Sequence, residues 1–370
     1  MSSTPEPSPD DDPWIGFEPQ VSPRYVTVVI AAVTTIVLAG VAFLLPVPYA
    51  LLEPGPVFNT LGDFDGEPML SIEGDVASYP SEGTLDFTTV SVTSPDGEVT
   101  FAEAVRAYFD DEAELIPKDV LYPDDESAEE ADAESAAQMA SSQDSSTVAA
   151  LRVLGYEVPQ RVVVAEVSKD GAAAGQLKAE DTIRAVDGQP VTSAQQVVDL
   201  VSQRRPGDSV TLTYERDDAT ADVTLTTQAA EDDADVPRIG VSLGEDFDPP
   251  ITVVNNVGDS VGGPSAGTMF ALAIYDLLTP GPLTGDLRVA GTGEMAADGT
   301  VGAIGGIRQK MAGAHADDVE VFLVPADNCD EATDGTDFGM TLVKITTLTD
   351  AVASVETLAQ DPDATVPSCP

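Results

Sequence analysis

Residues 255–272 read NNVGDSVGGPSAGTMFAL, and within them Gly263-Pro264-Ser265-Ala266-Gly267 fits the G-x-S-x-G pattern of a serine nucleophile on a tight bend. A serine hydroxyl is a weak nucleophile until an adjacent base takes its proton, and histidine is the usual base. This chain has one histidine, His315. It sits in IRQKMAGAHADDVEVFLV, which reads as one helix running into a strand, with no acid-bearing strand end before it. The arrangement does not fit a Ser-His-acid hydrolase, and His315 reads as a helix-face residue with no catalytic part.

A second base lies in the same segment. A lysine amine can deprotonate a serine if burial lowers its pKa from about 10.4 toward 7 to 8, a shift worth roughly 3 to 4 kcal/mol. That requires a dry site without a neighbouring carboxylate. Lys310 follows VGAIGGI, and no acid occurs between Gly299 and Asp317. In a chain with 65 acidic residues, such an acid-free window is informative.

Three blocks in order, GGPSAGTMFALAIYDLL (262–278), TGEMAADGTVGAIGGIRQKMAGAHA (292–316) and VEVFLVPADNCDEA (319–332), resemble the proteolytic domain of Lon family proteases. The resemblance covers residues 235–358. It implies an α/β proteolytic fold with a Ser-Lys dyad: Ser265 as nucleophile, Lys310 as general base and Thr292 as the hydroxyl that orients the lysine. Gly263 and Gly267 flank the nucleophile and would let a substrate backbone approach closely. The apolar run Ala266–Leu278 reads as a helix whose free N-terminal amides suit an oxyanion. Glu294 could bind substrate or complete a turn. The sequence departs from the family in two ways. Gly262-Gly263 stands where many Lon enzymes carry an acid, and no G-x-x-x-x-G-K-[ST] loop occurs anywhere, so neither an ATPase motor nor a cofactor is expected.

Upstream, residues 162–227 alternate short strands with one amphipathic helix, SAQQVVDLVSQRR, capped by Ser193. GAAAGQLKAEDTIRAVDGQPV and RPGDSVTLTYER resemble a bacterial PDZ domain, which implies a β-barrel module over residues 159–230. In that family a peptide adds as a strand beside the helix, its carboxylate received by the loop before the first strand. The matching positions are the loop Pro159–Val162 and the strand after it, which makes Arg161, Val162, Val163 and Val164 the peptide-binding candidates.

Residues 25–45, YVTVVIAAVTTIVLAGVAFLL, hold 21 positions without a charge and stop at Pro46, the length of a transmembrane helix with no signal-peptidase site after it. Arg24 is the nearest basic residue, and none follows until Arg106, so residues 1–24 are expected to be a disordered cytoplasmic tail and the bulk extracytoplasmic. In that compartment Cys329 and Cys369 either bond to each other or remain two free thiols. Residues 46–158 read as a small α/β stalk region containing an acidic linker (110–134), and residues 359–370 as a C-terminal tail.

The formal net charge of −49 excludes nucleic acid as a partner, since phosphate binding needs Lys and Arg. No metal-ligand spacing is present. The whole reads as an α+β multidomain chain: one membrane helix, a stalk region, a PDZ-like module and a Lon-type domain. Its expected partners are peptide or protein substrates and the membrane. The Lon resemblance also implies a homo-oligomer. The layout resembles the membrane-anchored PDZ-Lon proteins of Gram-positive bacteria.

Overall fold

The computed structural model describes residues 22–74, 76–79, 81, 83–122, 127–230, 233–258, 261–335 and 338–370. Most of the expected N-terminal tail, residues 1–21, lies outside them. The first described element is the helix Pro23–Phe43, capped by the Ser22 hydroxyl, with no residue buried along its length. It is long and apolar enough to cross a membrane. Its end is tied to the folded body by the Phe101 N–H, which donates to Leu45 O at 2.8 Å, and by Phe43 and Phe101, whose ring centroids are 5.7 Å apart.

The centre of the body is a six-stranded sheet in the order Thr341–Ile345, Val321–Pro325, Arg288–Gly291, Thr84–Val92, Tyr49–Asn59, Glu114–Pro117. The first four strands run parallel, and the last two pairings are antiparallel. Alternation across the pleat sends Val321 and Leu323 into one core and Phe322 and Val324 into another, because helices cover both faces. The helices Gly267–Leu277 and Leu348–Gln360 pack on the first face with Leu85 and Phe87. The helix Ile307–Ala316 packs on the second.

The stalk reading of residues 46–158 is corrected here, because three of the six central strands come from that region. The acidic segment 110–134 is likewise not a continuous solvated linker. It holds the edge strand Glu114–Pro117, which pairs Leu115 with Leu51, and the first turns of the helix Ala128–Val153. That helix opens on a reciprocal capping box, with the Ser127 hydroxyl on the Glu130 N–H and the Glu130 carboxylate on the Ser127 N–H. Four residues of edge strand give too little apolar pattern to stand out among acids.

Between the two sets of sheet strands the chain makes a separate module. Its strands order as Ala219–Thr226, Ser209–Arg216, Thr182–Val186, Gln160–Val167, Val241–Phe247, with Gln189–Pro190 folded back on Thr182–Val186. One helix, Ala194–Ser202, starts at the Ser193 cap. Val162, Ile183, Val197, Val201, Val210 and Leu212 fill its core. The expected barrel is an open, half-barrel sheet, since Ala219–Thr226 and Val241–Phe247 end the strand path without pairing to each other. Val241–Phe247 also extends the module past the expected boundary at residue 230. The chain enters and leaves side by side, the Asp248 N–H donating to Pro159 O at 3.0 Å. Arg152 bridges the junction: it donates to Ala297 O at 2.9 Å and to Gln160 Oε1 at 2.7 Å, and its guanidinium lies 5.5 Å from the Phe247 ring centroid.

Candidate active site

Lys310 lies in the first turn of Ile307–Ala316, which starts from Gly306 in the left-handed region (φ 68°), a conformation suited to glycine. The helix drives the lysine under the sheet, where its side chain is among the largest fully buried ones, at 2% exposure. No carboxylate compensates for the lost solvent. Burial alone pushes the amine down from 10.5 to about 7. Nζ stands 2.6 Å from Ser265 Oγ and 3.1 Å from Thr292 Oγ1.

The bend that carries Ser265 is held on every side. Gly263 has φ 82°, and its N–H donates to Ser135 O at 3.0 Å. The Ser142 hydroxyl donates to Pro264 O at 2.8 Å, and the Ser146 hydroxyl to Gly267 O at 2.8 Å. The Ser265 carbonyl accepts from the Gly293 N–H at 2.8 Å and from Thr292 Oγ1 at 3.0 Å. The Thr292 hydroxyl therefore touches both the lysine and the backbone of the serine. Gly267 has no room for a side chain, since a Cβ there would lie 2.7 Å from Ser142 Oγ and 2.9 Å from the Met295 backbone nitrogen.

The helix after Ser265 is Gly267–Leu277, and its first amides are not free for an oxyanion. Gly267 N–H donates to Pro264 O and Thr268 N–H to Gly293 O. Among the described residues, the amides of Ser265 and Ala266 are the neighbouring donors with no acceptor in the fold. These two, rather than the helix terminus proper, point to where negative charge could be received. Sequence reasoning pointed to amides around Ser265 as well as to the helix N-terminus; the Gly267 and Thr268 amides of that terminus are already bonded.

The other candidate residues fall elsewhere. His315 lies exposed near the end of the lysine helix, with Phe338 5.6 Å away, centroid to centroid. Cys329 and Cys369 are joined as a disulfide, and the Lys344 N–H donates to Pro367 O at 3.0 Å. The end of the chain is thus bound back to Thr341–Ile345 and is not a loose tail.

The peptide-binding reading of Arg161–Val164 is corrected. The strand Gln160–Val167 is paired on both sides, Arg161 is in an ion pair with Asp246 at 2.6 Å, and Val162 and Val164 are core residues. Of the two edge strands, the one beside the helix Ala194–Ser202 is Val241–Phe247. Between it, the preceding loop Val236–Gly240 and the helix Ala194–Ser202 lies a groove of about 1020 Å³, lined by Val197, Val201, Ile239, Val241 and Leu243. The run Arg238-Ile239-Gly240-Val241-Ser242-Leu243, a glycine opening an alternating strand, was the available signal.

Comparison with known proteins finds two domain families in the chain, the PDZ match starting in the helix Ala128–Val153 and stopping short of the strand Val241–Phe247. Residues 258–354 match the Lon protease (S16) C-terminal proteolytic domain, and residues 129–227 match the PDZ domain. The chain therefore carries a proteolytic domain of Lon type, which supports a peptidase, together with a PDZ domain. Among curated proteins it is similar to Lon protease 1 of Sorangium cellulosum, 44% identical over 66 residues, and to Lon protease of Escherichia coli, 39% identical over 66 residues. Each match covers 18% of this chain and 8% of the relative. Among solved structures, the PDZ domain of an SdrC-like protein from Listeria monocytogenes aligns at 30% identity and a TM-score of 0.21, over 22% of this chain and 85% of that one.

Proposed function

We propose that the protein is a membrane-anchored, ATP-independent serine endopeptidase with a Ser265-Lys310 dyad, acting on peptides or unfolded segments outside the cytoplasm. One observation carries the reading: a lysine amine, buried without a carboxylate, within hydrogen-bond reach of the serine at a Lon-type G-x-S-x-G bend.

In the reaction, neutral Lys310 Nζ takes the proton as Ser265 Oγ attacks the scissile carbonyl. The amides of Ser265 and Ala266 donate to the oxygen that becomes negative. Lys310 then returns the proton to the departing amine, and the same base activates water to release the acyl group. Thr292 keeps Nζ aimed at the serine. The helix Pro23–Phe43 would anchor the chain, with Arg24 on the cytoplasmic side. The absence of a phosphate-binding loop from the sequence supports independence from ATP.

The PDZ groove beside Val241–Phe247 would hold an extended peptide as an added strand. By family resemblance the chain would assemble with copies of itself.

Ser265→Ala in the full chain should abolish hydrolysis of an unfolded protein substrate. Lys310→Arg should do the same, because arginine keeps the charge but cannot act as a base near neutral pH. Wild-type rates in either variant would sink the dyad.

A further inference from the structure

Beside the nucleophile bend is a cavity of about 320 Å³. Gln138, Ser141 and Ser145 of the helix Ala128–Val153 wall one side, and Pro264, Glu294 and Met295 the other. The Ser142 hydroxyl, also in the wall, is committed to Pro264 O. Pro264 directly precedes Ser265, and Glu294 directly follows Gly293, whose N–H holds the Ser265 carbonyl. The cavity therefore lies beside the bend that carries Ser265.

Its chemistry is one-sided. Glu294 is the single charged residue in the wall, and its carboxylate makes no hydrogen bond or ion pair among the described residues. It does not serve the dyad either, since the low pKa of Lys310 traces to burial with no carboxylate contribution. Glu294 is exposed and its carboxylate is free to receive a cation, while the Gln138 amide in the wall is committed to Glu134 at 3.0 Å. Pro264 and Met295 supply apolar surface for the methylene stem of such a side chain. The net charge of −49 would also raise the local concentration of cationic peptides.

We propose that this cavity is a specificity subsite for lysine or arginine flanking the scissile bond, with Glu294 as the residue that selects them. The inference rests on the peptidase reading above and adds the substrate class to it.

The test uses the full chain in detergent and internally quenched peptides that differ at one position near the scissile bond. Arginine is compared with citrulline, which has nearly the same shape and no charge. Wild type should prefer arginine by about five- to tenfold in kcat/KM at one position, as expected for a partly solvated ion pair with a hydrogen bond. Glu294→Gln should bring the arginine-to-citrulline ratio near unity, and Glu294→Lys should invert the preference toward a glutamate peptide. A wild-type enzyme that does not distinguish arginine from citrulline at any position overturns the subsite, as does a preference that survives Glu294→Gln. Anisotropy of the same peptides bound to Ser265→Ala reads the subsite without catalysis. Discrimination there alongside an inactive wild type would sink the peptidase reading and leave the subsite standing, whereas equal binding would sink the subsite.

Discussion

In the mechanism proposed above Lys310 must be neutral to accept a proton, and burial sets its pKa at about 7. The rate of peptide hydrolysis should therefore rise with pH through about 7 and level off above it, which a pH profile of kcat/KM will show. The same burial has a stability cost with a definite sign. Between about pH 7 and 10.5 the unfolded chain holds a proton on this lysine that the folded chain has released, so stability rises with pH across that window. Below pH 7 the penalty for burying the charge is felt in full. Lys310→Met should abolish activity yet stabilise the fold by roughly 2–4 kcal/mol at pH 7, a gain that fades as pH approaches 10, measured by urea unfolding. The sequence pointed to the three side chains that meet here by different routes: Ser265 by its G-x-S-x-G bend, Lys310 by an acid-free window in a very acidic chain, and Thr292 only by resemblance to the Lon family. Amides around Ser265 were legible as oxyanion donors only as a group, since which of them stay free depends on hydrogen bonds to Pro264 and Gly293 that only the fold decides.

At the scale of elements, the helix Ala128–Val153 shapes the site as much as the two helices that carry or follow the dyad. Through Ser135 O, the Ser142 hydroxyl and the Ser146 hydroxyl it fixes three points of the nucleophile bend. Replacing Ser142 and Ser146 together by alanine should lower stability by about 1 kcal/mol per lost bond and reduce kcat more than it raises KM, since the bend loses its support. Gly267→Ala should cost about as much from a single methyl, about 2 kcal/mol or above, because that methyl meets backbone at Met295 that cannot yield. Thermal unfolding and steady-state kinetics on the three proteins distinguish these outcomes.

The inner face of this helix shows why its role was hidden. Its buried positions include Met139, Ser142, Ser146 and Ala149, a helical spacing in which serine replaces the expected apolar residues. Hydroxyls that bond to the bend look, in sequence, like a solvated surface. The edge strand Glu114–Pro117 was lost for the related reason that acids flank it, while Val321–Pro325, buried on both faces, was plain.

At the scale of the whole molecule, the PDZ module is an insertion in the proteolytic fold, entering at Pro159 and leaving at Asp248 within one hydrogen bond of each other. Joining Pro159 to Asp248 and deleting Gln160–Phe247 should leave a folded domain that cleaves short peptides within about fivefold of the parent, with long substrates bound more weakly. Peptidase assays on substrates of two lengths will test this. The far end of the chain is secured by Cys329–Cys369, separated by 40 residues, and reduction should cost roughly 4 kcal/mol in the chain-entropy picture, read from unfolding with and without reductant. The sheet itself joins distant parts of the chain: the Thr84 hydroxyl donates to Leu287 O, 203 residues away. During synthesis, the PDZ module has all its strands before Arg288–Gly291 has left the ribosome. The earlier strands must wait for that late arrival, and the lysine comes later still. On the dyad mechanism proposed above, a nascent chain is therefore unable to cut anything, including its own unfolded neighbours, until Arg288–Gly291 and Lys310 have emerged and joined the earlier strands.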